Sequence, residues 1–200
     1  MNKLVQTMQD FSDDEFLLYI LSSRLAPVFE GLRPSCLFCL RNTGRGLYSS
    51  WKRNETNILS SLPFNSYILK DDGTSIHILI YSRDELAKYI DKPGISTLLK
   101  NYGYDDGGLD SHLNWLKHRF KEGCPHENGV FLGYPLPDVI SFINNKRPCL
   151  ITGYWKVYCH KQDAEQQFAA FDRAKEKVIS HIINGAPIHQ VFDKMCFTGL

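Results

Sequence analysis

The chain has 200 residues, 43% of them hydrophobic and 22% charged, with a formal net charge of +1. Such a length and apolar content suit one domain with a single substantial core and exclude a disordered polymer. The near-zero charge excludes a global field for a nucleic-acid backbone or an anionic membrane, and no apolar run, 76–81 with its histidine included, is long enough to span a bilayer.

In chain order, "MNKLVQTMQDFSDDEF" has no long apolar core and no small-residue cleavage site, so no secretory signal is expected and a cytoplasmic location follows. "SDDEFLLYILSSRL" opens with Ser12 and Glu15 at capping-box spacing. Phe16, Leu17, Ile20, Leu21 and Leu25 then recur at helical intervals, and Pro27 is expected to stop the helix. "SCLFCL" (35–40) is expected as a buried strand, "RNTGRG" as a turn and 47–60 as a helix. "NSYILKDDGTSIHILIYSRDEL" predicts a hairpin of 66–70 with 75–81 turning at Gly73. A helix to Ile90 follows, with Ser82 and Glu85 at a second capping-box spacing. A helix over 95–102 ends at Gly103, and Leu109, Leu113, Leu116 and Phe120 mark another ending at Gly123. Then come a short strand over 129–132, a helix over 137–144, a strand in "LITGYWKVY" and a long helix over 163–184 closed by Gly185 and Pro187. No repeat or linker interrupts the series. The expectation is a single α/β domain over 1–200, α and β mixed, with about five strands in a mixed sheet that contains an antiparallel hairpin and is flanked by helices.

"LAPVFEGLRPSCLF" resembles A-P-T-L-x-G-I-K-x-x-x-L-F. "CPHENGVFLGYPLPDVISFI" resembles F-P-H-E-I-G-x-F-L-G-Y-P-x-x-D-V-x-G-F-I. "TGYWKVYCHKQDAEQQFAAFDRAKEKV" resembles G-Y-W-K-V-Y followed by a helix containing A-x-x-x-F. Together with "NYGY" before a helix, these phrases identify the chain as resembling an uncharacterised bacterial family, domain-of-unknown-function family 3793, typical of anaerobes. The resemblance implies no activity. Arg33, Cys124, Asn128 and Ala174 depart from the family phrases, so Cys36, Cys39 and Cys124 are not obviously family features.

The stretch "CPHENGVFLGYPLPDV" concentrates conformational restriction. Pro125 suits a turn, Gly133 allows close backbone approach, Tyr134 before Pro135 is extended, and Pro135 or Pro137 starts a helix with Asp138 in its first turn. A strand-to-helix turn of this kind is a common ligand position in α/β proteins. His126 is a candidate general acid or base, with Glu127 as a second acid/base group or orienting partner. As neighbours they share no face of a helix or strand, so a joint role requires a loop. The competing structural roles are a backbone contact for His126 and an Arg or Lys partner for Glu127.

"RNTGRGLYSSWKR" offers Arg41 and Arg45 to an anion, or is a solvated basic turn; it does not match a P-loop. Cys36 and Cys39 form a C-x-x-C, but in a strand residues three apart point to opposite faces, and no second C-x-x-C exists. No metal is expected, and all six cysteines (Cys36, Cys39, Cys124, Cys149, Cys159 and Cys196) are read as free thiols. In "GYWKVYCH", alternation puts Tyr154, Lys156 and Tyr158 on one face, and Trp155, Val157 and Cys159 on the other. Tyr154 and Lys156 either line a pocket for a flat anionic ligand or belong to a half-buried strand with a snorkelling lysine.

The expected function is therefore small-ligand binding or an accessory role, with a pocket near "PHENGVFLGYP" contacted by Arg41, Arg45, Gly133, Tyr134, Tyr154 and Lys156. The alternative is a small enzyme using His126 and Glu127 for acid–base chemistry on a small anionic or aromatic substrate. The partners considered are a small molecule and a redox protein, with neither nucleic acid nor membrane; no cofactor is identified.

Overall fold

The computed structural model describes residues 3–145 and 148–197. Its centre is a three-stranded antiparallel sheet of β1 (Ser35–Arg41), β2 (Asn65–Asp71) and β3 (Ser75–Tyr81), in the order β1-β3-β2. Phe38 of β1 and Ile68 of β2 both lie opposite Ile78 of β3. The β2–β3 turn closes as expected. The Asp72 carboxylate accepts from the backbone of Thr74 and Ser75 and from both their hydroxyls, which holds its pKa far below the usual carboxylate range.

Both faces of the sheet are covered, which explains why β3 is a continuous apolar run rather than an alternating one. Phe38, Leu40, Ile76, Ile78 and Ile80 pack against α2 (Asp13–Phe29), α3 (Leu47–Ser60), α9 (Lys161–Ile183) and α10 (Val191–Phe197). On the other face Leu69, Leu79 and Tyr81 meet α4 (Arg83–Ile90), α5 (Pro93–Asn101), α6 (Gly108–Arg119), α7 (Asn128–Phe131) and α8 (Leu136–Asn144). A short helix, α1 (Lys3–Asp10), precedes the capping box at Ser12, where Ser12 and Glu15 satisfy each other's backbone N–H groups.

Several expectations are corrected. Among the described residues there are five strands, but three form one sheet and two, β4 (Ile151–Thr152) and β5 (Lys156–Val157), form a separate hairpin; all their pairings are antiparallel, so they do not make up the expected single mixed sheet. "LITGYWKVY" thus folds back on itself at Gly153, where a Cβ would stand 2.2 Å from the Phe168 ring. Residues 129–132 are not a strand: α7 is a single helical turn, entered by bonds from the N–H groups of Asn128 and Val130 to the carbonyls of Pro125 and Glu127. A four-residue apolar run fits either period, and burial of Glu127 and Asn128 beside it selects the turn. Pro27 does not stop α2. It removes one helical bond and the helix continues to Phe29, turning out at Gly31 with φ +66°. Ser82 begins α4 without a side-chain cap, and the Glu85 carboxylate pairs with Lys88 rather than reaching back to Ser82. α6 ends at Arg119, and 120–123 are turns.

Cys36 and Cys39 diverge to opposite faces of β1, with Cys36 in the core. Cys36, Cys39, Cys124 and Cys149 are free thiols, and the side chain of Cys196 lies outside the described residues. Among the described residues no helix is long and apolar enough to cross a membrane.

The main sheet carries one histidine among the described residues, on β3. His77 faces the Phe120 ring at 5.7 Å, and its buried Nδ1 has no protein partner. Burial, and then the charges of Lys70 and Arg41, lower its pKa from 6.5. The unfolded chain therefore binds a proton near that pH which the folded chain binds only at lower pH. Stability is full above the unfolded value and falls as pH drops through it toward the lowered folded value. Urea unfolding between about pH 7.5 and 5 is expected to show a shallower acid loss for His77→Phe than for wild type. Parallel pH curves would remove His77 as a source of the slope.

Candidate functional site

The stretch 124–142 folds as turn, helical turn, turn and helix, and each bend has a physical cause. Gly133 adopts φ +76°, and a Cβ there would stand 2.5 Å from Pro34 Cδ, so the loop lies directly on the entry to β1. Ser35 Oγ donates to the Phe131 carbonyl at 2.6 Å, and the Tyr89 hydroxyl donates to the Tyr134 carbonyl at 2.8 Å. Pro135 then opens α8.

Asp138, in the first turn of α8, is 3% exposed. Its Oδ2 accepts from Trp155 Nε1 at 2.8 Å, and its Oδ1 accepts from the backbone N–H groups of Tyr158 at 2.7 Å and Cys159 at 3.0 Å. This carboxylate fixes the β4–β5 hairpin against α8. Trp155 then stacks on Tyr134, centroids 5.3 Å apart and planes at 29°. Between α7, α8 and the hairpin lies a cavity of about 430 Å³. Its walls include Asn128, Tyr134, Phe142, Trp155 and Lys156, with Cys124 and His126 at the side. Lys156 Nζ lies 5.4 Å above the Phe142 ring, and no salt bridge to it occurs among the described residues. Desolvation raises the Cys124 pKa, so this thiol stays protonated at neutral pH and is not an activated nucleophile.

His126 and Glu127 part company. His126 is exposed and sets its ring edge-on to Phe142 at 4.9 Å. Glu127 is wholly buried on the opposite side, accepting from Arg119 Nε at 2.9 Å and from the Tyr104 hydroxyl at 3.3 Å. The carboxylate keeps the Arg119 guanidinium charged and, with burial as the larger cause, drives the Tyr104 phenol far up.

Of the other residues singled out in the sequence, Tyr134 and Lys156 meet at the cavity, whereas Gly133 is not part of its lining and lies against Pro34. Tyr154 lies elsewhere: its hydroxyl donates to Asp172 at 2.5 Å, its ring meets Phe171, and Lys175 Nζ sits 4.2 Å above it. Arg45 donates to the carbonyls of Met8 and Phe11 at 3.0 and 2.8 Å and covers Phe16, which ties α1 to α2. Arg41 is exposed at the end of β1. Sequence reasoning missed Arg119, Tyr104, Phe142 and the acceptor role of Asp138. The available signal was the pairing of a first-turn aspartate with a downstream tryptophan whose N–H needs a buried acceptor. Among the described residues no group of three or more His, Cys, Asp or Glu side chains could hold a metal ion.

A larger cavity of about 610 Å³ lies between the end of α2, α9 and the segment reaching α10. Its charged residues Glu30 and Lys177 pair with each other at 2.8 Å, so they are not free to recognise a ligand charge.

The frame is one of a mixed helix–sheet protein whose most restricted segment walls a cavity. The chain belongs to the family described as "Protein of unknown function (DUF3793)", whose model matches residues 21–192. No curated protein and no solved structure matches it.

Gly133→Ala is expected to cost about 1–3 kcal/mol, because both its φ and the fixed Pro34 ring oppose a Cβ. Chemical denaturation measures it, and a change within surface noise would contradict the backbone reading. His126→Ala is expected to stay within about 0.5 kcal/mol of wild type. Glu127→Ala, which strands Arg119 and Tyr104, is expected to lose about 2–4 kcal/mol. Equal effects for the two would contradict their divergence.

Proposed function

We propose that the chain is a small-ligand-binding protein whose cavity takes a planar aromatic molecule bearing an anionic group. The observation that carries this reading is one cavity combining Tyr134, Phe142 and Trp155 with the unpaired Lys156. Aromatic walls offer a flat ring contact area in offset or edge geometry, and the ammonium at the exposed side meets the charge. The volume, about 430 Å³, lies toward the small end of ligand pockets, which suits a one- or two-ring molecule. His126, beside Phe142, adds a polar contact at the same side.

The competing reading is acid–base catalysis by His126 and Glu127. It requires two groups converging on one reacting atom. The Glu127 carboxylate is instead engaged with Arg119 and Tyr104 behind the helical turn, so the geometry favours binding over that chemistry.

Titration calorimetry with naphthalene carboxylate tests the reading. Saturable binding is expected, with Lys156→Glu weakening it by about tenfold or more, equivalent to about 1.4 kcal/mol. Trp155 fluorescence should respond over the same concentration range. Binding indifferent to Lys156, or no binding by this ligand or by smaller and larger aromatic acids, would refute it.

A further inference from the structure

We infer that the ligand of this cavity carries, besides its acid, a cationic amine on an arm that passes His126 and ends at Glu122, so that its two charges stand on opposite sides of the aromatic ring. The inference rests on the cavity being a binding site for an aromatic anion. A second recess, of about 230 Å³, adjoins it. Cys124, Pro125 and His126 line both, so only this turn parts them. An arm that crosses the exposed His126 passes from the cavity into the recess, whose far wall holds Arg119 and Glu122.

The polar groups of the joined site follow an order. Lys156 Nζ lies 5.4 Å above the Phe142 ring, and His126 meets the same ring edge-on at 4.9 Å. Lys156 lines the aromatic cavity and not the recess, whereas Glu122 lines the recess and not the cavity. Cation and carboxylate therefore lie on opposite sides of Phe142 and His126. Each group in the series is open to an entering ligand: Lys156, His126 and Glu122 are exposed, and the Arg119 side chain is 31% exposed.

Charge decides the class of the arm. Arg119 is already answered, because its Nε at 2.9 Å and its Nη2 at 3.4 Å donate to the buried Glu127 carboxylate. That hydrogen bond leads the influences that keep the guanidinium charged. The Glu122 carboxylate contributes less, which places it on the Arg119 side of the turn. Among the described residues Glu122 forms no salt bridge. Lys121, next to it in the chain, lines neither space. Asp138 also lines the cavity, but it is buried and its oxygens are engaged by three N–H groups. The exposed, unpaired charges are thus a cation at one end and a carboxylate at the other. An anionic arm would meet Glu122 with no free cation to offset it, whereas an ammonium is attracted there while the acid stays with Lys156.

Calorimetry on the full chain at low ionic strength tests this with aminomethyl-naphthalene carboxylate and methyl-naphthalene carboxylate, both substituted at the ring position farthest from the acid. The amine is expected to bind about fivefold more tightly, the scale of an exposed ion pair. Added salt should shrink that advantage. Glu122→Gln, an exposed substitution in a turn, should bring the two acids to equal affinity. Lys156→Glu should weaken both. Equal, Lys156-dependent binding of the two acids to the wild type would overturn the inference and leave the aromatic-acid reading standing. An amine advantage that survives Glu122→Gln would also overturn it. So would tighter binding of naphthalene dicarboxylate, which would assign the recess to Arg119 and an anion. Binding of none of these acids would overturn both.

Discussion

The carboxylate of Asp138 is the constraint on which the candidate site depends. A buried carboxylate requires donors, and the three it has come from 17, 20 and 21 residues further along the chain. The β4–β5 hairpin has two residues per strand and forms no part of the main sheet. A two-stranded hairpin of that size is not stable by itself in water. Its position is instead fixed by charge-assisted bonds to Asp138 and by the packing of Trp155 and Val157 against Tyr134, Phe168 and Phe171. Take away the carboxylate and the indole N–H and two backbone N–H groups are left buried. The wall that carries Trp155 and Lys156 then has no anchor on α8.

Adjacent residues of the 124–142 stretch serve opposite sides of one helical turn, and this explains its conformational restriction. Glu127 faces inward to Arg119 and Tyr104 and so fixes the turn to α6, while His126 faces outward to Phe142. A strand would also have separated the two side chains, but it would have put Val130 and Phe131, both fully buried, onto opposite faces. The helical turn buries both of these apolar residues together with Glu127. Gly133 then reverses the chain against Pro34, where no other side chain has room, and α8 can begin with Asp138 already facing the hairpin.

What was legible in the sequence divides by range. The capping box at Ser12, the Asp72 turn and the long helices are written in chemistry between residues a few positions apart, and they form as expected. The 129–132 turn, the persistence of α2 past Pro27 and the split of "LITGYWKVY" are decided by contacts with distant residues: Arg119, the core around Val28, and Phe168 beneath Gly153. The site divides in the same way. Tyr134 and Lys156 were visible as an aromatic and a cation in restricted segments. Alternation along one continuous strand puts Tyr154 beside Lys156, but the turn at Gly153 sends it to Asp172 instead. Arg45 was visible as a cation, but its carbonyl acceptors lie 34 and 37 residues away.

The cavity and the hairpin are therefore thermodynamically coupled. One wall belongs to α7 and α8, the other to Trp155 and Lys156, and the docked hairpin is what brings them together. A ligand that touches both walls binds only the docked arrangement, so it stabilises that arrangement by RT ln(1 + [L]/Kd). The converse also holds: any fraction of molecules with the hairpin undocked lowers the apparent affinity by that fraction. Opening is opposed by three hydrogen bonds to a charged acceptor and by the small aromatic cluster, whereas the main sheet is covered on both faces and does not take part. Amide exchange at Tyr158 and Cys159, whose N–H groups end on Asp138, reports this opening separately from global unfolding. A ligand that touches both walls should slow exchange at these two positions by the same factor, 1 + [L]/Kd, as it slows exchange through global unfolding, because both openings release it; a smaller effect at Tyr158 and Cys159 would show that they exchange without parting the walls.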